Sequence, residues 1–270
     1  MHDGKFDTTN WAIMQKGNFA QSFLTASLAQ ILHESPPGIR VIDVGGDIGF
    51  FTLLAASLGP VAIDVFEPQP VHRLRICESL NINQWHSEFD MHYDDNPKEA
   101  SLVNVIPFGV GNARGLYEFK GELGHPNQGH YTGLVAKMGS NAQRLVQLDE
   151  FAEERGWFGE SRPDIAILKV SVEGFELNTV EGALELLHLK VIRNILIEVS
   201  FRNEAEIARN RGTVQILEDS EYRLYKMGTL EAPDELPIVD DDKLYENLVK
   251  AGQATPSKQL NLWWKLSEYM

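Results

Sequence analysis

A glycine-rich segment at residues 43–49 has the residue types and spacing needed to bind a cofactor. It reads D-V-G-G-D-I-G and follows a short run of branched apolar residues, as expected where a buried strand turns into a helix. Glycines in such a turn let the backbone approach a ligand closely, and the N–H groups that begin the helix favour a negatively charged group. The contacts expected in this turn are Asp43, Gly45, Gly46, Asp47 and Gly49.

An acidic residue, Glu67, follows the next predicted strand, 24 residues after Asp43. A carboxylate at this place in a doubly wound sheet can accept hydrogen bonds from both hydroxyls of a ribose. Pro68 comes directly after it, and Phe108 follows the third predicted strand. We therefore expect Glu67, Pro68 and Phe108 to contribute to a nucleoside-binding site.

The spacing of the glycines distinguishes between two nucleoside cofactors. The dinucleotide fingerprint G-x-G-x-x-G needs a glycine two residues after Gly45, where this chain has Asp47. A carboxylate there would repel a pyrophosphate, whereas S-adenosyl-L-methionine carries a sulfonium cation that tolerates nearby carboxylates. The pattern favours S-adenosyl-L-methionine. A nicotinamide-dependent oxidoreductase is an alternative that depends only on the strand, turn and helix.

The elements that position these residues alternate between strand and helix. Apolar runs predict strands at residues 40–44, 61–66, 103–107, 165–170 and 192–199. Helices are predicted at residues 50–58, 70–81, 175–187 and 204–217. Short connections between such elements favour parallel pairing, so we predict an α/β fold with a doubly wound, mostly parallel, seven-stranded Rossmann-like sheet.

The two ends of the chain add further elements. Alternating apolar residues at 259–266 predict an antiparallel C-terminal edge strand, which would form an edge pair with a strand at 222–227. A helical pattern from residue 20 to residue 32 predicts an N-terminal helical extension over residues 1–38. The remaining residues, 39–270, are then expected to form a single domain.

Composition excludes some classes of partner. The chain has 39 acidic against 24 basic residues, a formal charge of −15, which would repel phosphate backbones, so nucleic acid is not expected as a partner. The longest mainly apolar window, residues 48–58, is shorter than the roughly 20 residues of a membrane-spanning helix, and residues 1–10 lack a signal-peptide pattern. One cysteine cannot form an internal disulfide, which favours a reducing compartment such as the cytoplasm.

Four segments, taken in order, resemble the FkbM-type methyltransferases: residues 41–52, 66–68, 148–151 and 168–176. This resemblance implies a class I methyltransferase fold and S-adenosyl-L-methionine as the methyl donor. It also implies O-methylation of a hydroxyl on a sugar, lipid or small-molecule acceptor, and so a small-molecule or glycan partner.

The chain departs from the family pattern at two positions. Asp47 stands where the family usually has Asn, and both side chains can accept the same hydrogen bonds. Ser171 stands where the motif K-x-D-V-E-G has Asp, and a serine hydroxyl cannot act as a base in the way a carboxylate does. The second departure raises an alternative function: a catalytically impaired pseudo-methyltransferase that acts as an interaction module.

Methyl transfer to a hydroxyl is aided by a base, and four residues are candidates for the catalytic side of the site. They are Lys169, Ser171, Glu173 and His130. Each has a simpler explanation: Lys169 can pair with a neighbouring acid, Ser171 can cap the next helix, and Glu173 can be a helix-start carboxylate.

His130 lies in a glycine-rich stretch at residues 121–139, which we expect to be a loop between short strands at 116–120 and 144–148. This loop could fold over an acceptor, and His130 would then contact the acceptor. Alternatively, His130 is a solvated loop histidine. No group of His, Cys and carboxylates has metal-ligand spacing, so no metal is expected. The patterns do not predict the acceptor or the oligomeric state.

Overall fold

The structure is a computed structural model that describes residues 22–87, 101–120, 130–134, 142–159, 162–225, 227 and 243–267. The strands in chain order are β1 (Ile39–Val44), β2 (Val61–Phe66), β3 (His86–Ser87), β4 (Leu102–Ile106), β5 (Gly109–Val110), β6 (Gly115–Lys120), β7 (His130–Leu134), β8 (Ala142–Val146), β9 (Ile165–Val170), β10 (Ile192–Ser200), β11 (Tyr222–Tyr225) and β12 (Gln259–Leu266). The helices are α1 (Ser22–Glu34), α2 (Phe50–Ser57), α3 (Pro70–Asn83), α4 (Leu148–Glu154), α5 (Glu176–Glu181), α6 (Leu184–His188), α7 (Glu204–Asp219) and α8 (Leu244–Ala254).

The main sheet confirms the predicted α/β class. Its strand order is β11–β12–β10–β9–β1–β2–β4–β3, and β12 is antiparallel to both of its neighbours while the other pairs are parallel. The seven predicted strands are present, with the two-residue β3 added at one edge. The predicted antiparallel C-terminal strand is β12. It is the second strand from the opposite edge, because β11 pairs with it on the outside.

Several predicted boundaries are corrected by the structure. The helix predicted over residues 175–187 is two helices, α5 and α6, separated at Gly182, where an added Cβ would lie 2.1 Å from the Gly111 carbonyl oxygen. Leu148, predicted to end a strand, begins α4, and α8 was not predicted. Both missed helices are short, so they show few repeats of an apolar pattern in the sequence.

A second sheet has the order β5–β8–β6–β7. Its strand β7 occupies part of the stretch that was predicted to be a loop, and it pairs antiparallel with β6. The ring of Tyr117 on β6 contacts the ring of Phe175 edge-on, with centroids 5.8 Å apart. This contact places the small sheet against the start of α5, which follows the carboxyl end of β9.

The main sheet is covered on both faces, which explains why its central strands are continuous apolar runs. All six residues of β2 and of β9 are buried. On one face, Leu24 and Leu28 of α1 pack in the same apolar cluster as Val41 and Phe51. The proposed division into residues 1–38 and 39–270 stays a prediction. Among the described helices, none is long and apolar enough to span a membrane.

Candidate active site

The order of the main sheet reverses direction between β1 and β9. From β1 the chain adds β2 and β4 on one side, and it then crosses over to add β9 and β10 on the other. In open α/β sheets, ligands bind outside the carboxyl ends of the strands at such a point. The candidate site is therefore the crevice at the ends of β1 and β9, where most of the predicted residues lie.

Asp43 and Lys169 form a buried ion pair at this crevice. They are partners in the β1–β9 register, and Lys169 Nζ lies 2.9 Å from Asp43 Oδ1. The same ammonium donates to the Gly45 carbonyl oxygen at 2.9 Å, and Thr52 Oγ1 donates to Asp43 Oδ2 at 2.7 Å. Only 2% of Asp43 and 4% of Lys169 is exposed. Through the hydrogen bond to Gly45, this buried pair holds the glycine turn against β9.

The glycine turn packs directly against both neighbouring strands. Gly45 has a φ of +81°, and a Cβ added to it would lie 1.9 Å from the Ser171 carbonyl oxygen, so no other residue fits there. The N–H groups of Gly45 and Gly46 donate to the Phe66 carbonyl oxygen at 3.0 and 3.2 Å. In this structure, the glycines allow the turn to pack closely against the backbone of the neighbouring strands. Their contact with a ligand stays a prediction.

Glu67 connects the glycine turn to the start of α3. Its Oε2 accepts from the Asp47 N–H at 2.9 Å and its Oε1 accepts from the Gln69 N–H at 2.8 Å. Arg73 holds the same segment, because its Nη1 donates to the carbonyl oxygens of Glu67 at 3.0 Å and Pro68 at 2.6 Å. Glu67 is only 4% exposed, but each carboxylate oxygen has a second lone pair with which to accept a ribose hydroxyl.

His72 on α3 was missed in the sequence analysis. Its Nδ1 lies 3.2 Å from Asp47 Oδ1 and 3.7 Å from Glu67 Oε1, and the residue is 3% exposed. Asp47 has a φ of +48° and its side chain is 39% exposed, so it lies at the open side of this group. The sequence spacing could have indicated that His72 faces inward, because His72 comes one helical turn before the buried Ile76 on the same helix.

Ser171 lies between the glycine turn and β10. Its N–H donates to the Val44 carbonyl oxygen at 3.0 Å, which extends β9 alongside β1. Its Oγ donates to Glu198 Oε2 at 3.0 Å. Glu198 is the one acidic residue of β10. It was not among the predicted residues, because a single acidic residue within an apolar strand does not form a recognisable motif.

The turn after Ser171 brings further carboxylates together. Glu173 and Gly174 have positive φ angles of 50° and 91°. Glu173 Oε2 is paired with Arg202 Nη2 at 2.6 Å, and this guanidinium nitrogen also donates to Ser200 Oγ at 2.7 Å. The predicted candidate Glu173 is therefore held in an ion pair.

Glu176 lies beneath that turn and is almost fully buried. Its Oε1 accepts from the Gly174 N–H at 2.9 Å. Burial raises the pKa of the Glu176 carboxyl to about 7; the Gly174 hydrogen bond opposes this rise, while the charges of Glu173 and Glu198 add to it. The carboxyl ends of β9 and β10 thus carry three carboxyl groups that influence one another.

Two further predicted residues are not among the contacts described above. Phe108 is half-buried and packs against the apolar cluster on one face of the sheet. His130, expected in a loop, is the first residue of strand β7, where it pairs with Lys120. Across the described part of the chain, no group of three or more His, Cys, Asp or Glu residues could hold a metal ion.

The main sheet, with its change of direction between β1 and β9 and its antiparallel strand β12, is the Rossmann-like sheet predicted from the sequence. The family description "Methyltransferase FkbM domain" matches residues 43–224. The chain belongs to the FkbM methyltransferase family, whose methyl donor is S-adenosyl-L-methionine. This confirms the resemblance and the cofactor predicted from the sequence.

Solved structures of methyltransferases are similar to this chain at low identity. A proposed rRNA methylase from Clostridium thermocellum is 10% identical with a TM-score of 0.49, over 93% of this chain and 99% of that one. Precorrin-6y C5,15-methyltransferase from Geobacter metallireducens GS-15 is 11% identical with a TM-score of 0.44, over 97% and 94% of the two chains. Among proteins with curated descriptions, none matches this chain.

Proposed function

We propose that this protein transfers the methyl group of S-adenosyl-L-methionine to a hydroxyl oxygen of a small-molecule or glycan acceptor. The observation that carries the proposal is the sign of the charge around the crevice. Asp47 and Glu67 lie on the β2 side of the glycine turn and Glu198 lies on the β10 side, while the cations Lys169 and Arg202 are each paired with a carboxylate. Carboxylates on both sides suit a sulfonium cation and oppose a pyrophosphate.

The residues around the glycine turn are proposed to hold the donor. S-adenosyl-L-methionine supplies, when bound, an electrophilic methyl group. Gly45, Gly46 and Gly49 shape the turn, and Glu67 accepts hydrogen bonds from the ribose hydroxyls. Asp47 contributes a half-exposed carboxylate beside Glu67. Pro68 and Phe108 are proposed as further contacts of the nucleoside.

Two residues are proposed to position this site without touching the reacting atoms. Asp43 and Lys169 hold the turn through their buried ion pair and the bond to the Gly45 carbonyl oxygen. A buried ammonium that is paired in this way is poorly placed to exchange protons with an acceptor. Positioning alone can supply on the order of 7 kcal/mol of the acceleration in an in-line transfer, so such support is expected to matter for turnover.

We propose that the remaining candidates act on the acceptor side. Glu173 Oε2 is held by the Arg202 guanidinium, so we propose that Glu173 keeps the turn after β9 in place. Ser171 lies at the tip of β9 between the glycine turn and Glu198, and we propose that it contacts the acceptor. His130 stays a prediction as an acceptor contact.

Calorimetry with S-adenosylhomocysteine tests the donor site. We expect micromolar binding to the wild-type protein and at least tenfold weaker binding to Glu67→Gln, which loses a charged acceptor for the ribose. The matched control is Glu78→Gln, an exposed glutamate of α3 that pairs with Arg75. Binding of NAD without binding of S-adenosylhomocysteine would overturn the proposal in favour of an oxidoreductase.

A radiolabelled methyl donor tests the acceptor class. The wild-type protein is incubated with a panel of monosaccharides, phenols and aliphatic alcohols, and mass spectrometry locates the new methyl group. Methylation on oxygen supports the proposal, whereas methylation on nitrogen or carbon alone contradicts it.

Ser171 favours a second candidate, a pseudo-methyltransferase that binds the donor without turnover. It predicts binding of S-adenosylhomocysteine, no methylated product from the panel, and gain of activity in Ser171→Asp. Turnover by the wild-type protein excludes this candidate.

A further inference from the structure

We propose that Ser171 and Glu198 act together as the base for methyl transfer, an inference that rests on the proposed function. In this relay, Ser171 Oγ receives the proton of the acceptor hydroxyl while its own proton passes to the carboxylate of Glu198. The serine that stands where the family pattern has Asp is then part of a working base.

The direction of the hydrogen bond between the two side chains supports this relay. An ionised carboxylate only accepts, so the hydroxyl hydrogen of Ser171 points at Glu198 Oε2, 3.0 Å away. The lone pairs of Ser171 Oγ are then directed elsewhere and can accept the proton of an acceptor hydroxyl. The proton that leaves Oγ for Glu198 would move along a hydrogen bond of ordinary length.

The position of the pair relative to the glycine turn is also suitable. Ser171 is hydrogen-bonded to the end of β1 through Val44 and lies against Gly45. Glu198 is on the next strand, and neighbouring strands are about 4.8 Å apart. The serine hydroxyl therefore lies between the turn proposed to hold the donor and the carboxylate proposed to take the proton.

The neighbouring carboxyl groups are less suited to this task. Glu173 Oε2 is already engaged by Arg202 Nη2 at 2.6 Å, so this carboxylate is held by the turn after β9. Glu176 is 3% exposed and accepts from the Gly174 N–H. Among the carboxyl groups described at this end of the sheet, Glu198 is the one in contact with Ser171.

The step balances in bonds, protons and charge. A bond forms between the acceptor oxygen and the methyl carbon as the bond between that carbon and the sulfonium sulfur breaks. The acceptor proton goes to Ser171 Oγ, and the former Ser171 proton goes to Glu198. The sulfonium becomes a neutral thioether and the carboxylate becomes a neutral carboxylic acid.

Three variants test the relay with whichever panel acceptor the wild-type protein methylates. Glu198→Gln keeps the shape and an oxygen for the serine bond but cannot take a proton, so we expect kcat to fall about 100-fold or more. Ser171→Ala should lower kcat to a similar extent. The double variant should be no slower than either single variant, since both remove one pathway. KM and the affinity for S-adenosylhomocysteine should stay within about twofold.

A rescue separates this role from a structural one. Ser171→Asp in the Glu198→Gln background places a carboxylate at the tip of β9, and we expect at least a tenfold recovery of kcat. The control is Glu221→Gln, a surface glutamate paired with Lys190, which should leave kcat unchanged.

The possible failures are distinguishable. An unchanged kcat in Glu198→Gln, or multiplicative losses in the double variant, overturns the relay and leaves the proposed function in place. Loss of S-adenosylhomocysteine binding together with kcat in both single variants assigns the pair a structural role and also overturns the relay. If the wild-type protein neither binds S-adenosylhomocysteine nor methylates any acceptor, the proposed function and the relay both fail.

Discussion

The Lys169 ammonium lies 2.9 Å from Asp43 Oδ1 although the two residues are on different strands that are far apart in the chain. Both side chains are almost fully buried, and the register pairs them directly across β1 and β9. The ammonium also binds the first glycine of the turn, so one cation joins β9, β1 and the proposed donor site. The stability of the fold and the shape of the site therefore depend on the same contact.

We expect Lys169→Met to destabilise the protein by about 3–5 kcal/mol, because it leaves the Asp43 charge buried without its cation. Asp43→Asn combined with Lys169→Met should cost less than Lys169→Met alone, since no buried charge remains. Urea unfolding followed by circular dichroism measures both. A loss below about 1 kcal/mol in Lys169→Met would show that the carboxylate does not depend on this partner.

The glycine turn gives a second prediction. Gly45→Ala should destabilise the protein strongly, because it combines a positive φ with a Cβ placed 1.9 Å from the Ser171 carbonyl oxygen. Gly156→Ala is the matched control: its φ is +71°, but no atom lies within 4 Å of the added Cβ. The control should lose only about 1 kcal/mol of backbone strain by thermal unfolding. Equal losses in the two variants would contradict the importance of the packing against β9.

Glu176 predicts a pH dependence of stability. Its pKa is raised from 4.5 to about 7 in the folded protein, so the folded state binds more protons than the unfolded state between these values. Stability should therefore fall as the pH rises from about 4.5 to about 7, by roughly 3 kcal/mol from this group.

The variant Glu176→Gln tests this dependence, since an amide keeps an acceptor for the Gly174 N–H but does not titrate. Urea unfolding at several pH values should show that the variant gains stability relative to wild type as the pH rises through this window. Glu204→Gln, at an exposed position on α7, should show no such trend. A constant difference between Glu176→Gln and wild type across the window would mean that Glu176 is ionised throughout.

The segment L-D-E-F at residues 148–151 has a structural explanation that leads to a fourth prediction. Asp149 Oδ2 accepts from the Glu185 N–H at 2.9 Å and Oδ1 accepts from the Leu186 N–H at 3.0 Å, which satisfies the start of α6. Asp149→Ala should cost about 1–2 kcal/mol in urea unfolding and leave S-adenosylhomocysteine binding unchanged. Glu150→Ala, which removes a surface pair with Arg114, should cost less. Loss of S-adenosylhomocysteine binding in Asp149→Ala would contradict a purely structural role.

Local patterns in the sequence were sufficient for much of the fold. The bounds of β2 and β12 match the predicted ones, because continuous or alternating apolar residues mark a strand. The alternation in β12 is incomplete in the structure, since the consecutive residues Trp263 and Trp264 are both buried. The glycine turn was predictable because a positive φ and close packing leave only glycine at position 45. The small strand β7 was missed because its residues lie within a glycine-rich stretch.

The sequence by itself determined the main strands and most of the helices, the glycine turn after β1 and which residue types meet the ends of the central strands. The tertiary structure alone decided the partners of those residues: Lys169 reaches a turn 124 residues earlier, Ser171 meets Glu198 27 residues later, and Glu173 meets Arg202 29 residues later. The physical reason is that helix and strand patterns are set by neighbours in the chain. Contacts between side chains at the ends of different strands depend on strand order and register, which the packing of the whole sheet sets.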